Sequence, residues 1–170
     1  MAGDLFLRLV SGDITEIAGT QTSAGAGNAG DIVSLDAAGL LDLSLFPAGI
    51  GPDIQIITAS EALSAGDFVN VWDDSGAFKV RKADATSAGK RAHGFVLAAV
   101  SSAAPATVYF EGKNTQVTSV TPATIYLSTT TPGGFQTTPP TGSGNISQPI
   151  GVGTSATTIN FEPARPVVLA

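Results

Sequence analysis

The chain has no cysteine, one histidine and one tryptophan in 170 residues. Without cysteine there is no disulfide, no thiolate metal site and no Cys nucleophile, and the redox compartment is left open. A single imidazole, His93, removes most histidine-based metal centres. Charge is scarce as well: 13% of residues are charged, and 8 Lys and Arg stand against 14 Asp and Glu, for a net charge of −6. A surface of that sign repels phosphate backbones and has no basic stripe to release counterions, so no nucleic-acid partner is expected. The stretch Leu5 to Val10 is broken by Arg8 and preceded by no basic region. Neither a secretory signal nor a membrane span is expected from it, and the expected site of synthesis and assembly is the cytoplasm.

Small residues fill the place of the missing charges, and their distribution divides the chain. Residues 1–52 are rich in Gly, Ala and Ser, and Thr20 to Gly30 has nothing that could fill a core. This part reads as an extended, mostly irregular N-terminal arm. Its two apolar islands, Leu5 to Val10 and Ile32 to Phe46, must be covered by something. From residue 53 to 170 the texture becomes short apolar-alternating runs bounded by Gly, Pro, Asn and Ser, spaced too closely for crossover helices. Phe68–Trp72 and Phe78–Lys82 flank Asp73-Asp74-Ser75-Gly76, a hairpin signal. Gly94–Val100, Thr107–Glu111, Thr124–Leu127, Pro149–Val152 and Thr157–Phe161 read as further strands, with Thr137–Asn145 a Pro-rich loop. The expected fold is all-β, a small barrel or sandwich carrying the arm. Between Asn114 and Phe161 there is no charged residue at all, so Thr, Ser, Gln and Asn must solvate this half.

Several motifs invite a chemical reading. Gly25-Ala-Gly-Asn-Ala-Gly30 has the G-x-G-x-x-G spacing that lets amides approach a pyrophosphate, but no strand precedes it and no long helix follows, so it reads as a flexible linker. His93 has no G-x-S-x-G elbow to work with, and a hydrogen bond to neighbouring backbone is the preferred role. Asp73 and Asp74, with Asp67 and Asp84 on the flanking strands, suggest a loose oxygen cluster for a hard cation, but the spacing matches no calcium loop and Asp is a good turn residue. Lys79, Arg81, Lys82, Lys90 and Arg91 gather within thirteen positions. They read as a solvated strand face in preference to a contact with an acidic partner. No catalytic, cofactor-binding or metal-binding residue is assigned, and no enzyme activity or cofactor is expected.

One segment carries a resemblance. Asp31 to Gly51 contains Leu35, Asp36, Gly39, Leu41, Asp42, Ser44, Phe46 and Pro47 in the form L-D-x-x-G-x-[LI]-D-x-S-x-[LFM]-P, followed by a small-G-[IV]-G run. This pattern resembles a segment of tailed-bacteriophage virion proteins. Ser64–Val71, Val80–Ala85, His93–Ala98 and Val108–Gly112 are also similar to phage structural domains. The resemblance implies a particle component, and it is shared by capsid-decorating (cement) proteins and by tail-fibre or baseplate proteins.

Elementary chemistry supports an anchoring role for the same segment. Asp36 and Gly39 suit a tight turn, Asp42 can cap a short helical turn, and Pro47 stops it. That leaves Leu35, Leu40, Leu41, Leu43, Leu45 and Phe46, with Pro47, as the expected arm-anchoring interface, each large side chain worth about 1.5 to 3 kcal/mol when buried. The preferred reading is a decoration protein on the outside of a phage head, its partners being the major capsid protein and further copies of itself in a homotrimer, the trimer implied by the class. The alternatives are a small tail-fibre, spike or baseplate protein, and a carbohydrate-binding β-domain whose aromatic platform would have to come from Trp72, Tyr109, Tyr126 and Phe135.

Overall fold

A computed structural model describes residues 5–46, Gly51 and residues 53–170. The chain divides into two compact units, Met1–Gly51 and Pro52–Ala170. The fold is all-β, as expected from the run lengths, and the helical turns among the described residues are short 3-10 turns.

The N-terminal unit departs from the expected arm in its first third. β1 (Leu5–Val10) and β2 (Asp13–Ala18) form an antiparallel hairpin paired from Leu5↔Ala18 to Val10↔Asp13. The connection is the dipeptide Ser11-Gly12, both with positive φ (53° and 99°). That conformation matches the strand twist in a two-residue turn and favours glycine at its second position. The Leu-x-Leu-x-Leu alternation of β1 and the Ser-Gly step are the signal that the island reading passed over.

The segment after the hairpin is irregular, but it is not the open linker expected of Thr20–Gly30. Thr20 donates its backbone N–H to Ile32 O (2.8 Å) and accepts at its own carbonyl from Ser34 N (3.1 Å). Gly25–Asn28 makes a 3-10 turn whose Asn28 side chain accepts from Ala24 N (2.7 Å) and donates to Asp31 (3.0 Å). Short polar side chains substitute here for a core, because each reaches a nearby backbone group.

The β-domain is built from two layers. β3 (Ile54–Ala59), β4 (Phe68–Asp74), β5 (Ala77–Lys82), β6 (Gly94–Phe95) and β7 (Pro105–Tyr109) close into a five-stranded barrel in the order β3-β5-β4-β6-β7. A barrel of so few strands is narrow, and its interior is accordingly filled by Ile57, Ala59, Leu63, Val69, Val80, Val96, Ala106 and Val108. The β4–β5 turn is Ser75-Gly76 alone; Asp73 and Asp74 belong to β4, which corrects the expected turn by two residues. The expected strand Gly94–Val100 shrinks to two residues plus an isolated Leu63↔Val100 bridge.

The second layer is an antiparallel sheet of β8 (Gly112–Asn114), β9 (Thr124–Leu127), β10 (Phe135–Gln136), β12 (Pro149–Ser155) and β13 (Thr158–Phe161), ordered β10-β9-β12-β13-β8. A small ladder joins β11 (Ile146–Ser147) to β14 (Val167–Val168). The charge-free half therefore forms this sheet and its loops. Its buried Ser128 accepts from the amides of Thr130 and Thr131, so the Thr-rich tract is a defined turn.

Alternation along β4 and β6 joins the layers. Val69 and Val96 point into the barrel, while Phe68 and Phe95 point out of it into a second core with Ile125, Leu127, Ile146, Ile150, Ile159 and Phe161. Phe161 stacks on Phe68 (centroids 5.6 Å apart) and meets Phe95 edge to face (5.5 Å), and Phe95 stacks on Tyr109 (5.4 Å). Replacing Phe161 with Ala is expected to cost about 3–5 kcal/mol of unfolding free energy. Phe78→Ala, at a side chain 80% exposed, is expected to stay within about 0.5 kcal/mol. Urea unfolding of the two variants beside the parent checks both.

Candidate functional site

Two places hold what the sequence marked as functional: the apolar surface of the N-terminal unit and the polar cluster around His93. None of the described residues 5–46 is buried. In the hairpin, Leu5, Leu7 and Leu9 share one face with Ile14 across the ladder, and Leu7, Leu9 and Ile14 are 73, 69 and 74% exposed. The opposite face pairs the half-buried Phe6 and Ile17. A two-stranded hairpin with one apolar face in water is marginal by itself. These hairpin leucines are exposed apolar side chains outside the expected anchoring set.

The anchoring segment itself adopts the local structure that its residue types dictate. Asp36 Oδ1 accepts from the amides of Ala38 (2.8 Å) and Leu40 (2.9 Å), and Gly39 N–H returns to Asp36 O (3.0 Å), forming the expected tight turn. Asp42 Oδ1 accepts from Ser44 N (2.9 Å) and caps a 3-10 turn over Leu43–Leu45. Hydrogen bonds from the backbone and side chain of Ser44 to the Asp42 carboxylate lower its pKa from the ordinary value. Ser44 Oγ also accepts from Ser23 N (2.8 Å), and Gln21 Nε2 donates to Leu35 O (3.0 Å), so the polar turn and the leucine segment are fastened together. Leu35, Leu40, Leu41, Leu43 and Phe46 are exposed and Leu45 is half-buried. Pro47 lies outside the described residues. Six carboxylates and one arginine make residues 1–51 acidic as well as apolar.

His93 immediately precedes β6. Because β6 is only two residues long, its ladder with β4 ends at Val69↔Gly94, and the next amide on that edge, Val71, has no strand partner. The imidazole takes the strand's place: His93 N donates to Val69 O (2.8 Å), and His93 Nδ1 accepts from Val71 N (3.0 Å). This is the backbone role expected for it. Gly94 is fixed by the same crowding, since a Cβ there would sit 2.7 Å from Val108 Cγ1 and closer still to Tyr109 O at its nearest.

Around the ring, buried Asn70 donates to Arg91 O (2.8 Å) and accepts from Arg81 Nε (3.0 Å), while Arg81 lies 4.5 Å from the Trp72 ring centroid. Burial and the adjacent Arg91 charge hold the His93 pKa below its ordinary value. Two cavities border the ring, one of about 470 Å³ at the barrel mouth with Gln55, Ile57, Val71, Phe78 and Phe110, the other of about 230 Å³ beside Arg91 and Arg165.

The remaining marked residues are dispersed. Asp67 and Asp84 lie just outside β4 and β5, and each acidic residue has its own duty. Asp73 accepts from Gly76 N, Asp74 pairs with Lys79, Asp67 accepts from Ser64 N and pairs with Lys82, and Asp84 accepts from Thr86. No metal-binding group of three or more carboxylate or imidazole side chains forms among the described residues. Of the basic run, Lys79 and Lys82 belong to these pairs, Arg81 lies over Trp72 and donates to Gly89 O, and Arg91 Nε donates toward His93 Nε2. Of the aromatic candidates, Trp72 has Arg81 over its ring, while Tyr109 and Phe135 pack on the inner core. Tyr126 is half-buried on β9.

The fold and site define a small all-β protein with a closed five-stranded barrel and an apolar N-terminal unit. No protein-family model, curated protein or solved structure matches the chain.

The neutral His93 ring ties fold stability to pH. A folded-state pKa below the unfolded value means that the unfolded chain binds more protons between the two, so His93 supplies its full stabilisation above about pH 6.5 and loses it as pH falls below that toward the folded value. The parent is expected to lose more stability between pH 7.5 and pH 5 than His93→Asn, whose amide oxygen can still accept from Val71. Chemical denaturation of both proteins at the two pH values checks this, and equal losses would contradict it.

Proposed function

We propose that this chain is a capsid decoration protein of a tailed bacteriophage, binding the outside of the head and stabilising the shell. The observation that carries the proposal is the N-terminal unit: no described residue in 5–46 is buried, yet it presents Leu5, Leu7, Leu9 and Ile14 on one hairpin face and Leu35, Leu40, Leu41, Leu43 and Phe46 farther along. Such a surface belongs against a neighbour. The β-domain, by contrast, carries two cores of its own. The phage-like pattern from Leu35 to Pro47 coincides with part of that apolar surface, which supports placing the neighbour in a virion.

On this reading no bond is made or broken. A protein that binds only the assembled, expanded lattice lowers the free energy of that state relative to the unassembled one by mass action. Lattice three-fold points favour three copies around one axis, which also gives the exposed leucines a place to be buried. A tail-fibre, spike or baseplate attachment through the same surface is the competing placement.

Removing residues 1–51 is expected to leave a cooperatively folding β-domain that no longer binds shells lacking the protein. In the full chain, Leu45→Ser with Phe46→Ser is expected to leave the melting transition of the β-domain nearly unchanged and to weaken shell binding by roughly tenfold or more, from the loss of about 1.5 kcal/mol or more per buried side chain. Co-sedimentation with purified heads reads the binding. Binding to tails but not heads would move the protein to the competing placement, and unfolding of the β-domain by the double substitution would remove the anchoring mechanism.

A further inference from the structure

The smaller cavity beside His93 has a feature that the backbone role of the ring does not use. Its walls are Arg91, Ala92 and His93 on one side and Pro163, Ala164, Arg165 and Pro166 on the other, with Gln148 between them. Gln148 is buried and clamps the two walls: its Oε1 accepts from Ala92 N (2.8 Å), and its Nε2 donates to Ala92 O (2.9 Å) and reaches Ala164 O (3.4 Å). Ala164 N in turn donates to Pro149 O (2.9 Å). Each arginine is thus the chain neighbour of a clamped alanine, so both guanidinium stems leave the backbone from fixed points.

No carboxylate lines the cavity, and among the described residues neither Arg91 nor Arg165 enters a salt bridge. In a chain of net charge −6 that is a notable place for two unpaired cations.

The proton inventory of the ring points the same way. His93 Nδ1 faces two donors, Val71 N–H at 3.0 Å and the Asn70 amide at 3.4 Å. The orientation of the Asn70 amide is fixed because its oxygen accepts from Arg81 and its nitrogen donates to Arg91 O. A neutral imidazole has one accepting nitrogen. Arg91 Nε, itself always protonated, donates toward His93 Nε2 at 3.0 Å. Each ring nitrogen thus faces a donor, Val71 N–H at Nδ1 and Arg91 Nε–H at Nε2, and because the neutral ring accepts at only one of them, one donor is left for an acceptor oxygen from outside the cluster. A carboxylate suits the guanidinium fork, since its two oxygens can serve adjacent N–H groups.

His93 also lines the larger, mainly apolar mouth of the barrel, with Ile57, Val71, Phe78 and Phe110. The geometry points to a binding site for a carboxylate borne on an apolar body, the carboxylate held by Arg91 and Arg165 beside the His93 ring and the body lodged against the barrel mouth. A free aliphatic acid and an Asp or Glu side chain flanked by apolar residues in a partner polypeptide present the same chemistry. The site stands independently of the capsid reading.

The single histidine makes the test direct, because the imidazole resonances of the full-length protein report one site. At pH 7.5 these signals are followed while sodium hexanoate, N-acetyl-Leu-Asp-Leu-amide, 1-hexanol, sodium acetate or inorganic phosphate is added. The expected result is a saturable shift with hexanoate or with the Asp peptide, the tighter of the two identifying the source. Acetate and 1-hexanol, each carrying half of the chemistry, are expected to bind roughly tenfold more weakly.

Arg91→Gln with Arg165→Gln is expected to abolish the saturable shift, while Lys113→Gln, a cation of β8 outside the cavity, leaves it unchanged; well-dispersed amide spectra show that each variant is folded. No saturable shift with either carboxylate, an undiminished shift in the folded double variant, an equal loss in Lys113→Gln, or phosphate binding as tightly as hexanoate overturns the proposal.

Discussion

Phe161 stands where the barrel wall meets the second sheet, stacked on Phe68 and edge-on to Phe95, in the core that the two layers share. The barrel interior alone is filled by small and medium aliphatics, two of them alanines, which is too little apolar surface for a stable domain of its own. The second sheet is open, and one of its faces would be wet. Packing the two together turns the outward residues of β4 and β6 into core, so the same short strands serve two interiors. Because Phe95 of β6 points outward and the next residue, Val96, points inward, the position of this strand is determined from both sides.

That constraint reaches the polar cluster. A β6 fixed by two cores but only two residues long leaves the Val71 amide without a ladder partner, and His93 supplies the acceptor from the position just before the strand. Burial and the Arg91 charge favour the neutral ring, whose Nδ1 is turned to the sheet. Asn70 and Gln148, both buried, extend this order outward by fastening Arg91, Ala92 and Ala164. Polar groups buried with their hydrogen bonds satisfied specify one arrangement, because any other leaves them unpaired. The N-terminal unit is organised on the opposite plan: Asx turns and short polar contacts define its backbone, while its leucines remain in water.

Which parts were legible in the sequence follows from how local their causes are. The hairpin around Ser75-Gly76, the strand Thr124–Leu127 and the turns at Asp36 and Asp42 rest on residues within a few positions of one another, and they stand where alternation and side-chain capping place them. The β1–β2 hairpin carries the same Ser-Gly step, but the polar, glycine-rich stretch that follows made its leucines read as an island in an arm. Thr20–Gly30 read as linker because its order comes from Asn28, Asp31 and Ser44 side chains bonding to backbone and to each other across the segment, a pattern without periodicity. The truncation of Gly94–Val100 was invisible for another reason: the run is apolar throughout, and only the tertiary path decides where pairing stops. Of the anchoring set, Leu35, Leu40, Leu41, Leu43 and Phe46 are exposed and Leu45 is half-buried. The cavity between Arg91 and Arg165 joins residues more than seventy positions apart through Gln148, and no spacing in the sequence announces it.

The β-domain thus has two cores of its own, whereas the N-terminal unit leaves its apolar side chains exposed, and the proposed function gives those side chains a neighbour. The central claim, that this neighbour is the outer surface of a phage head, is tested most directly by a cryo-electron microscopy reconstruction of the intact particle that carries this protein. Density for the five-stranded barrel domain is expected to repeat across the shell exterior, with the Leu35–Phe46 segment in contact with capsid protein or a neighbouring copy. Density for it confined to the tail or baseplate, or a shell exterior free of it, would contradict the claim.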